Sequence, residues 1–230
     1  MHLTVVIPTL NEAGTIRKAL ASVLSESDVE AIVADGGSTD ETVALAQGLA
    51  HRVIESPAGR AIQMNAGAKG ARGEILLFLH ADTVLPPGWA VTVRESLSDP
   101  GVVGGAFDLE IASASPNLSR IAKIANLRSR LTRVPYGDQA VFVRREVFER
   151  LGGYPEIPIM EDVAFGRRLK RAGRLSFLPL AARTSARRWE AEGLIYTTVR
   201  NWALVLLFLA GISPERLSRW YRIVRTERRG

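Results

Sequence analysis

Cysteine is absent from this 230-residue chain, and histidine occurs only at positions 2, 51 and 80. The missing thiols exclude a disulfide framework, a thiol nucleophile and any cysteine-based metal site. No stretch resembles an N-terminal signal peptide, so a cytoplasmic location is the expectation. An uninterrupted apolar run of about 20 residues, the length a membrane span needs, is also missing. The nearest candidate, residues 194–212, is broken by Arg200 and Asn201 and reads as a buried or interfacial helix. Internal repeats and long linkers are lacking too. What is present is 47% hydrophobic and 23% charged residues, enough apolar material for one large domain with a real core.

Charge is unevenly spread. Residues 183–230 hold ten Arg against four Glu, whereas residues 1–182 hold twenty basic and twenty acidic side chains, so the whole +6 excess lies in the tail. The tail interleaves its arginines with Trp202-Ala203-Leu204-Val205-Leu206-Leu207-Phe208-Leu209-Ala210, a mixture that fits an anionic membrane surface better than nucleic acid. The expected location is therefore cytoplasmic with a peripheral contact at the inner membrane face, and nucleic acid is not an expected partner.

The first hundred residues alternate strand-like and helix-like patterns, as βαβ units on a parallel sheet do. Strands are expected over residues 3–8, 29–35, 52–56 and 74–80, with helices over 13–25, 40–50 and 61–71. Beyond residue 100 the pattern predicts a strand over 102–111 and a helix over 116–133. That helix carries Arg120, Lys123, Arg128, Arg130 and Arg133 with no acid. A strand over 140–144, a helix over 161–172 and a short strand over 175–178 precede the tail. Residues 1–182 read as one α/β domain in two halves, 1–100 and 101–182, the second an acceptor-side extension of the first. Residues 183–230 read as a basic amphipathic helical tail.

Three strand ends finish in polar residues: Pro8-Thr9-Leu10-Asn11-Glu12, Asp35-Gly36-Gly37-Ser38-Thr39-Asp40 and His80-Ala81-Asp82. In a parallel sheet such ends converge on one edge, where Glu12, Asp35 and Asp82 can line one cleft. Thr9 with Glu12, and Ser38 with Glu41, also match the capping-box spacing, which leaves open that they only start helices. Clustered carboxylates repel a phosphate, and a divalent cation resolves this by bridging them to it; Mg²⁺ or Mn²⁺ is the expected cofactor. Asp82 is the leading ligand. His80 is placed to coordinate the same ion or to hydrogen-bond a ribose, or else simply closes a buried strand.

Read together, Val5-Val6-Ile7-Pro8-Thr9-Leu10-Asn11-Glu12, Val33-Ala34-Asp35-Gly36-Gly37-Ser38-Thr39-Asp40-Glu41-Thr42, Asn65-x-Gly67 and Gly73-Glu74-Ile75-Leu76-Leu77-Phe78-Leu79-His80-Ala81-Asp82 resemble a family-2 glycosyltransferase of the GT-A fold. Gly137-Asp138-Gln139, Phe142-Val143-Arg144-Arg145, Gly152-Gly153-Tyr154 and Glu161-Asp162 continue the resemblance over nearly the whole chain. It implies a single GT-A domain, a Rossmann-like and mostly parallel sheet flanked by helices. The implied activity is transfer of a sugar from a nucleotide-sugar donor to an acceptor hydroxyl, with inversion. A UDP-sugar is the first donor to expect and a GDP-sugar the second.

The resemblance also implies roles. Asp35 contacts the base, with Thr9, Asn11 and Glu12 near the nucleoside and Arg60 holding the nucleotide. His80, Ala81 and Asp82 face the donor, and Asp82 with His80 holds the metal on the diphosphate. Asp162 is the catalytic base, with Glu161 as its alternative. Asp138 and Gln139 belong to the acceptor side. Ser185-Ala186-Arg187-Arg188-Trp189 resembles the Gln-x-x-Arg-Trp element of processive members, which puts Arg188 on the leaving diphosphate and Trp189 on an acceptor sugar. Ser185 stands where that element has Gln, which with the missing spans argues for one transfer per acceptor rather than polymerisation.

Two departures stand out. His80 takes the place of the first acid of the usual Asp-x-Asp, and no histidine follows the base to serve as a further metal ligand. The runs Phe78-Leu79-His80-Ala81-Asp82-Thr83 and 126–139 are similar to a small bacterial subgroup labelled as radical-SAM/selenodomain-associated or arsenosugar-biosynthesis glycosyltransferases. Two other functions remain open on the residues alone. One is a nucleotidyltransferase or nucleotide-sugar-processing enzyme using the same sheet edge. The other is a membrane-surface binding module with a degenerate nucleotide site.

Overall fold

Four parallel strands at one side of an eight-stranded sheet form the framework of the computed structural model, which describes residues 1–226. They are β1 (Leu3–Thr9), β2 (Val29–Asp35), β3 (Arg52–Glu55) and β4 (Ile75–Phe78), alternating with α1 (Ile16–Leu24), α2 (Thr42–Gln47) and α3 (Arg60–Lys69). There follow β5 (Thr83–Val84), α4 (Trp89–Ser96), β6 (Val102–Ala112), α5 (Pro116–Thr132), a single 3-10 turn at Gly137–Gln139 and β7 (Val141–Arg144). The chain continues through α6 (Arg145–Arg150), α7 (Glu161–Ala172), β8 (Arg174–Ser185), α8 (Arg187–Glu192), α9 (Leu194–Leu209) and α10 (Pro214–Thr226). The strand order is β3-β2-β1-β4-β7-β6-β8-β5. β7 runs antiparallel to both β4 and β6, and β5 antiparallel to β8, while the other pairs are parallel.

Helices cover both faces, which is why β1, β2 and β4 are buried on both and mostly apolar, with Thr4 and Glu30 as the interruptions. Successive side chains alternate between the faces. Leu3, Val5 and Ile7 pack with Ile16, Leu20 and Val23 of α1 and with Trp89 and Val93 of α4. Val6 points the other way, into Met64 and Ala68 of α3 and Phe165 and Leu169 of α7. Here the Asn65-x-Gly67 motif has a physical cause: a Cβ on Gly67 would stand 2.3 Å from Val6 Cγ1, so only glycine lets α3 lie this close to β1. Asn65 exchanges two 2.9 Å hydrogen bonds with the backbone of Tyr154, tying that motif to Gly152-Gly153-Tyr154.

The largest difference from the expected elements is β8. The pattern predicts a short strand over 175–178; the structure continues to Ser185. The register against β6 jumps from Phe107↔Leu178 to Asp108↔Ala181, so Pro179 and Leu180 bulge out of the ladder. A proline without an N–H is tolerated at such a bulge. The continuation matters, because it carries residues 185–189 to the sheet edge that holds the polar strand ends. The periodicity also misses α4 and α6, while α8, α9 and α10 fall within the stretch read as a helical tail, with α9 in place of the candidate helix over 194–212. Among the described residues no helix is long and apolar enough to cross a membrane. The last residues of the basic tail, 227–230, lie outside the described residues.

Candidate active site

The loops after β1 and β2 are stitched to each other before any ligand arrives. Asp35, 1% exposed, accepts from Thr9 Oγ1 (2.9 Å), Ser38 Oγ (2.6 Å), Ser38 N (2.7 Å) and Gly37 N (2.9 Å). Asn11, at φ +56°, accepts from Thr39 N through its side chain and donates its own N–H to Ser38 Oγ. Glu12 N donates to Thr42 Oγ1. The capping-box alternative is thereby displaced: α1 begins at Ile16 and α2 at Thr42, and neither has a side-chain cap. Burial alone would push the Asp35 carboxyl up, but the bonds from Ser38, Thr9 and Gly37 outweigh it and hold it below the usual range.

The sign of the linkage follows. A carboxyl lower in the folded than in the unfolded chain stabilises fully above its unfolded value of about 3.9, and the contribution is lost as pH falls through the folded value. Asp35→Asn is therefore expected to cost about 2–3 kcal/mol at pH 7. In urea titrations the gap to wild type should narrow below about pH 4. An equal gap at pH 7 and pH 3 would refute this.

His80 and Asp82 follow the end of β4. The His80 Nε2 atom is buried without a hydrogen-bond partner. Burial, with the charges of Arg60 and Arg188 nearby, pushes this imidazole down to about 3, so it is neutral at physiological pH. Asp82 is half-buried, and its carboxylate makes only a 3.5 Å contact with Thr83 Oγ1 and no ion pair among the described residues. Its backbone oxygen accepts from Ser185 N at 3.0 Å, which pins the extended end of β8 beside it.

Opposite stands the start of α7. Asp162 Oδ2 accepts from Gly137 N at 2.9 Å, and Oδ1 accepts from Val163 N at 2.7 Å. A Cβ on Gly137 would lie 3.1 Å from His80 Nε2 and 3.2 Å from Asp162 Oδ2. The bare glycine thus lets the strand end and the helix start converge. Glu161 is different: it is 2% exposed, and its Oε1 lies 3.2 Å from Arg60 Nε. Burial pushes the Glu161 carboxyl up against the pull of Arg60, with Asp162 adding to the rise. Arg60, at the start of α3, is thereby tied to the start of α7. Asp138 has a buried, unpartnered Oδ1, and burial pushes its carboxyl up while Arg128 draws it back.

Several expected residues meet different surroundings. Gln139 is fully buried, and its amide is used inside the fold: it accepts from Ser129 Oγ (2.7 Å) and Tyr136 N (3.1 Å) and donates to Phe107 O (3.3 Å). It holds the turn that presents Gly137 and Asp138 instead of facing an acceptor. Trp189 packs on the apolar cluster of Leu109, Ile111 and Leu118 between β6 and α5. Glu12 is gripped by the exposed Arg187 at 2.9 and 3.1 Å, joining α8 to the first loop. Arg188 is exposed, close enough to His80 and Asp138 to act on both. Ala81, buried at 4% exposure, spaces His80 from Asp82.

Sequence reasoning missed Arg187, Gly137 and the Arg128–Tyr136 stack, in which the guanidinium lies 3.4 Å from the ring centroid. Arg128 had a signal as one of five bases on an acid-free helix, and Gly137 and Arg187 stand inside quoted motifs that assign them no role. Among the described residues there is no group of three or more His, Asp or Glu arranged to hold a metal ion.

Residues 4–152 match the family model described as Glycosyl transferase family 2. The chain is 38% identical over 177 residues to a PGL/p-HBAD biosynthesis glycosyltransferase of Mycobacterium tuberculosis, an alignment covering 66% of this chain and 62% of that one. Its fold is similar to that of Staphylococcus aureus TarS 1-349 in complex with UDP-GlcNAc, with a TM-score of 0.65, 19% identity and coverage of 80% and 58%. It is also similar to the mannosyltransferase PcManGT of Pyrobaculum calidifontis in complex with GDP-Man and Mn²⁺, with a TM-score of 0.63, 20% identity and coverage of 98% and 68%. These likenesses confirm the α/β architecture with its mostly parallel, helix-flanked sheet. The chain spans 37–62% of the length of the first curated relatives it matches.

Proposed function

The chain belongs to glycosyl transferase family 2, and we propose that it transfers a sugar from a nucleotide-sugar donor to an acceptor hydroxyl, with inversion and one transfer per acceptor. The observation that carries this reading is the convergence of His80 and Asp162 on Gly137 at the sheet edge where the polar strand ends meet. Donor and base then share one cleft. The loops around Asp35 and Asn11 receive the nucleoside. Arg60 and Arg188 flank the diphosphate, where fixed guanidinium groups favour the charge that grows on the leaving group. Asp162 takes the acceptor's proton as the new C–O bond forms and the bond from the anomeric carbon to the diphosphate oxygen breaks, releasing a nucleoside diphosphate.

The residues fit a divalent cation held mainly by the donor. The Asp82 carboxylate is unpaired, and the neutral His80 Nε2 is buried without a partner. Two protein ligands completed by phosphates and water suit Mg²⁺ or Mn²⁺. When bound, such an ion neutralises the diphosphate and makes it a better leaving group. On this reading residues 1–100 serve the donor and 101–182 the acceptor. The basic helices beyond residue 182 rest on an anionic membrane surface. The exposed stripe Ile195, Val199, Trp202, Leu206 and Leu209 along α9 supports that contact. The runs 78–83 and 126–139 support the small bacterial subgroup.

A thermal-shift series of UDP-, GDP- and dTDP-sugars with and without Mn²⁺ tests the proposal. A donor at about 100 times its Kd should stabilise by about 2.7 kcal/mol, and turnover should release a nucleoside diphosphate. Release of pyrophosphate from a nucleoside triphosphate, or no metal-dependent shift with any donor, would overturn it.

A further inference from the structure

Between α9 and α10 lies a groove of about 530 Å³, within the range of small-molecule sites, walled by Ile195, Val199, Ala203, Leu204, Trp220 and Tyr221. Its walls are left to water: Ile195 is 75% exposed, Val199 61% and Trp220 51%. Among the described residues one charge lines it, that of Arg200, whose Nε is buried without a hydrogen-bond partner while its other nitrogens are engaged. Arg200 pairs with Glu192 at 2.6 Å, and its guanidinium lies 5.4 Å from the Tyr196 ring centroid and 4.8 Å from that of Tyr221. The groove therefore offers almost no polar recognition and suits an apolar ligand segment.

Its inner wall leads to the candidate catalytic pair. Leu204 packs in one cluster with Met160 and Val163, the residues on either side of Glu161-Asp162. Tyr221 belongs to the same cluster and stands within electrostatic reach of Arg60, the partner of Glu161. The outer wall is continuous with the exposed apolar stripe of α9. A flat bilayer face covers a convex stripe but does not fill a concavity. A chain drawn out of such a face does.

We propose that the α9–α10 groove seats the apolar chain of an amphiphilic acceptor, whose hydroxyl end reaches Asp162. This rests on the glycosyltransferase reading and names its acceptor class. Chain binding should depend on chain length, since each buried methylene strengthens it about fourfold.

The test uses n-alkyl β-glucosides of one, four, six and eight carbons, below their critical micelle concentrations, titrated calorimetrically into the full chain. Affinity is expected to rise by about three- to fourfold per methylene. Ala203→Trp, which fills the groove, and Val199→Asp, which puts a charge in its exposed wall, should flatten that slope. Leu206→Asp, outside the groove on the exposed stripe, should weaken vesicle binding and keep the slope. A flat series with the wild type, or an unchanged slope in both groove variants with native circular dichroism, would overturn the proposal. So would a wild-type dimer that Val199→Asp dissociates, because a second copy would then cover the groove. The donor reading fails separately: an intact slope with no donor-induced stabilisation removes the transferase assignment and with it the acceptor role, whereas donor stabilisation with a flat slope removes the groove alone.

Discussion

Asp162→Asn is expected to lower kcat for sugar transfer by about 10²–10⁴-fold, the range a positioned general base contributes, while donor affinity stays within about twofold of wild type. The choice of Asp162 over its neighbour is electrostatic and geometric. Glu161 lies buried against Arg60, so an approaching hydroxyl would meet an occupied carboxylate in a closed site. Asp162 is half-buried, and its two oxygens are oriented by Gly137 N and Val163 N. Asparagine can keep one of those acceptor bonds, so the structural cost is about 1 kcal/mol, too small to explain such a loss. Steady-state rates with the metal-loaded donor, beside donor-induced thermal shifts, separate the effects. If Asp162→Asn transfers normally and Glu161→Gln is inactive at unchanged stability, the two roles are exchanged.

Much of the edge formed by β1, β2 and β4 was legible because it is local. Apolar runs ending in Asn11-Glu12, Asp35-Gly36-Gly37 and His80-Ala81-Asp82 mark where parallel strands stop, and the stops fall on one edge. Asp35 shows the limit of that logic. Its chemistry was visible but its surroundings were not, since its four hydrogen-bond donors come partly from Thr9, 26 residues away. The second half of the chain was less legible still. Pro179 looks like the end of a strand, and only the register jump against β6 shows that the strand resumes. Without that continuation nothing in the pattern brings Ser185 to Asp82, Arg188 to His80, or Arg187 to Glu12 across 175 residues. Gln139, beside Asp138 in sequence, turns into the core because the 3-10 turn rotates each successive side chain by about 120°. A motif supplies the residues but not their directions.

Asp82→Ala is expected to abolish metal-dependent donor stabilisation and transfer together, with a loss in kcat/KM of at least about 10²-fold, yet to leave the unliganded protein as stable as wild type or slightly more so. Most half-buried carboxylates in this chain have partners: Asp108 pairs with Arg130, and Glu12 with Arg187. Asp82 has no ion pair among the described residues, and the bond that fixes its loop runs through its backbone oxygen to Ser185 N, which alanine keeps. A carboxylate held without a counter-charge tends to cost stability and is characteristic of a ligand site. His80 sharpens the expectation. With neutral nitrogen in place of the first acid of Asp-x-Asp, Asp82 is the one acid left in that motif, so its removal strips the motif of negative charge. Melting curves with and without Mn²⁺ and donor read both halves of the result. A variant that melts well below wild type without ligand would make Asp82 a structural residue, and one that keeps its Mn²⁺-dependent donor shift would move the cation elsewhere in the cleft.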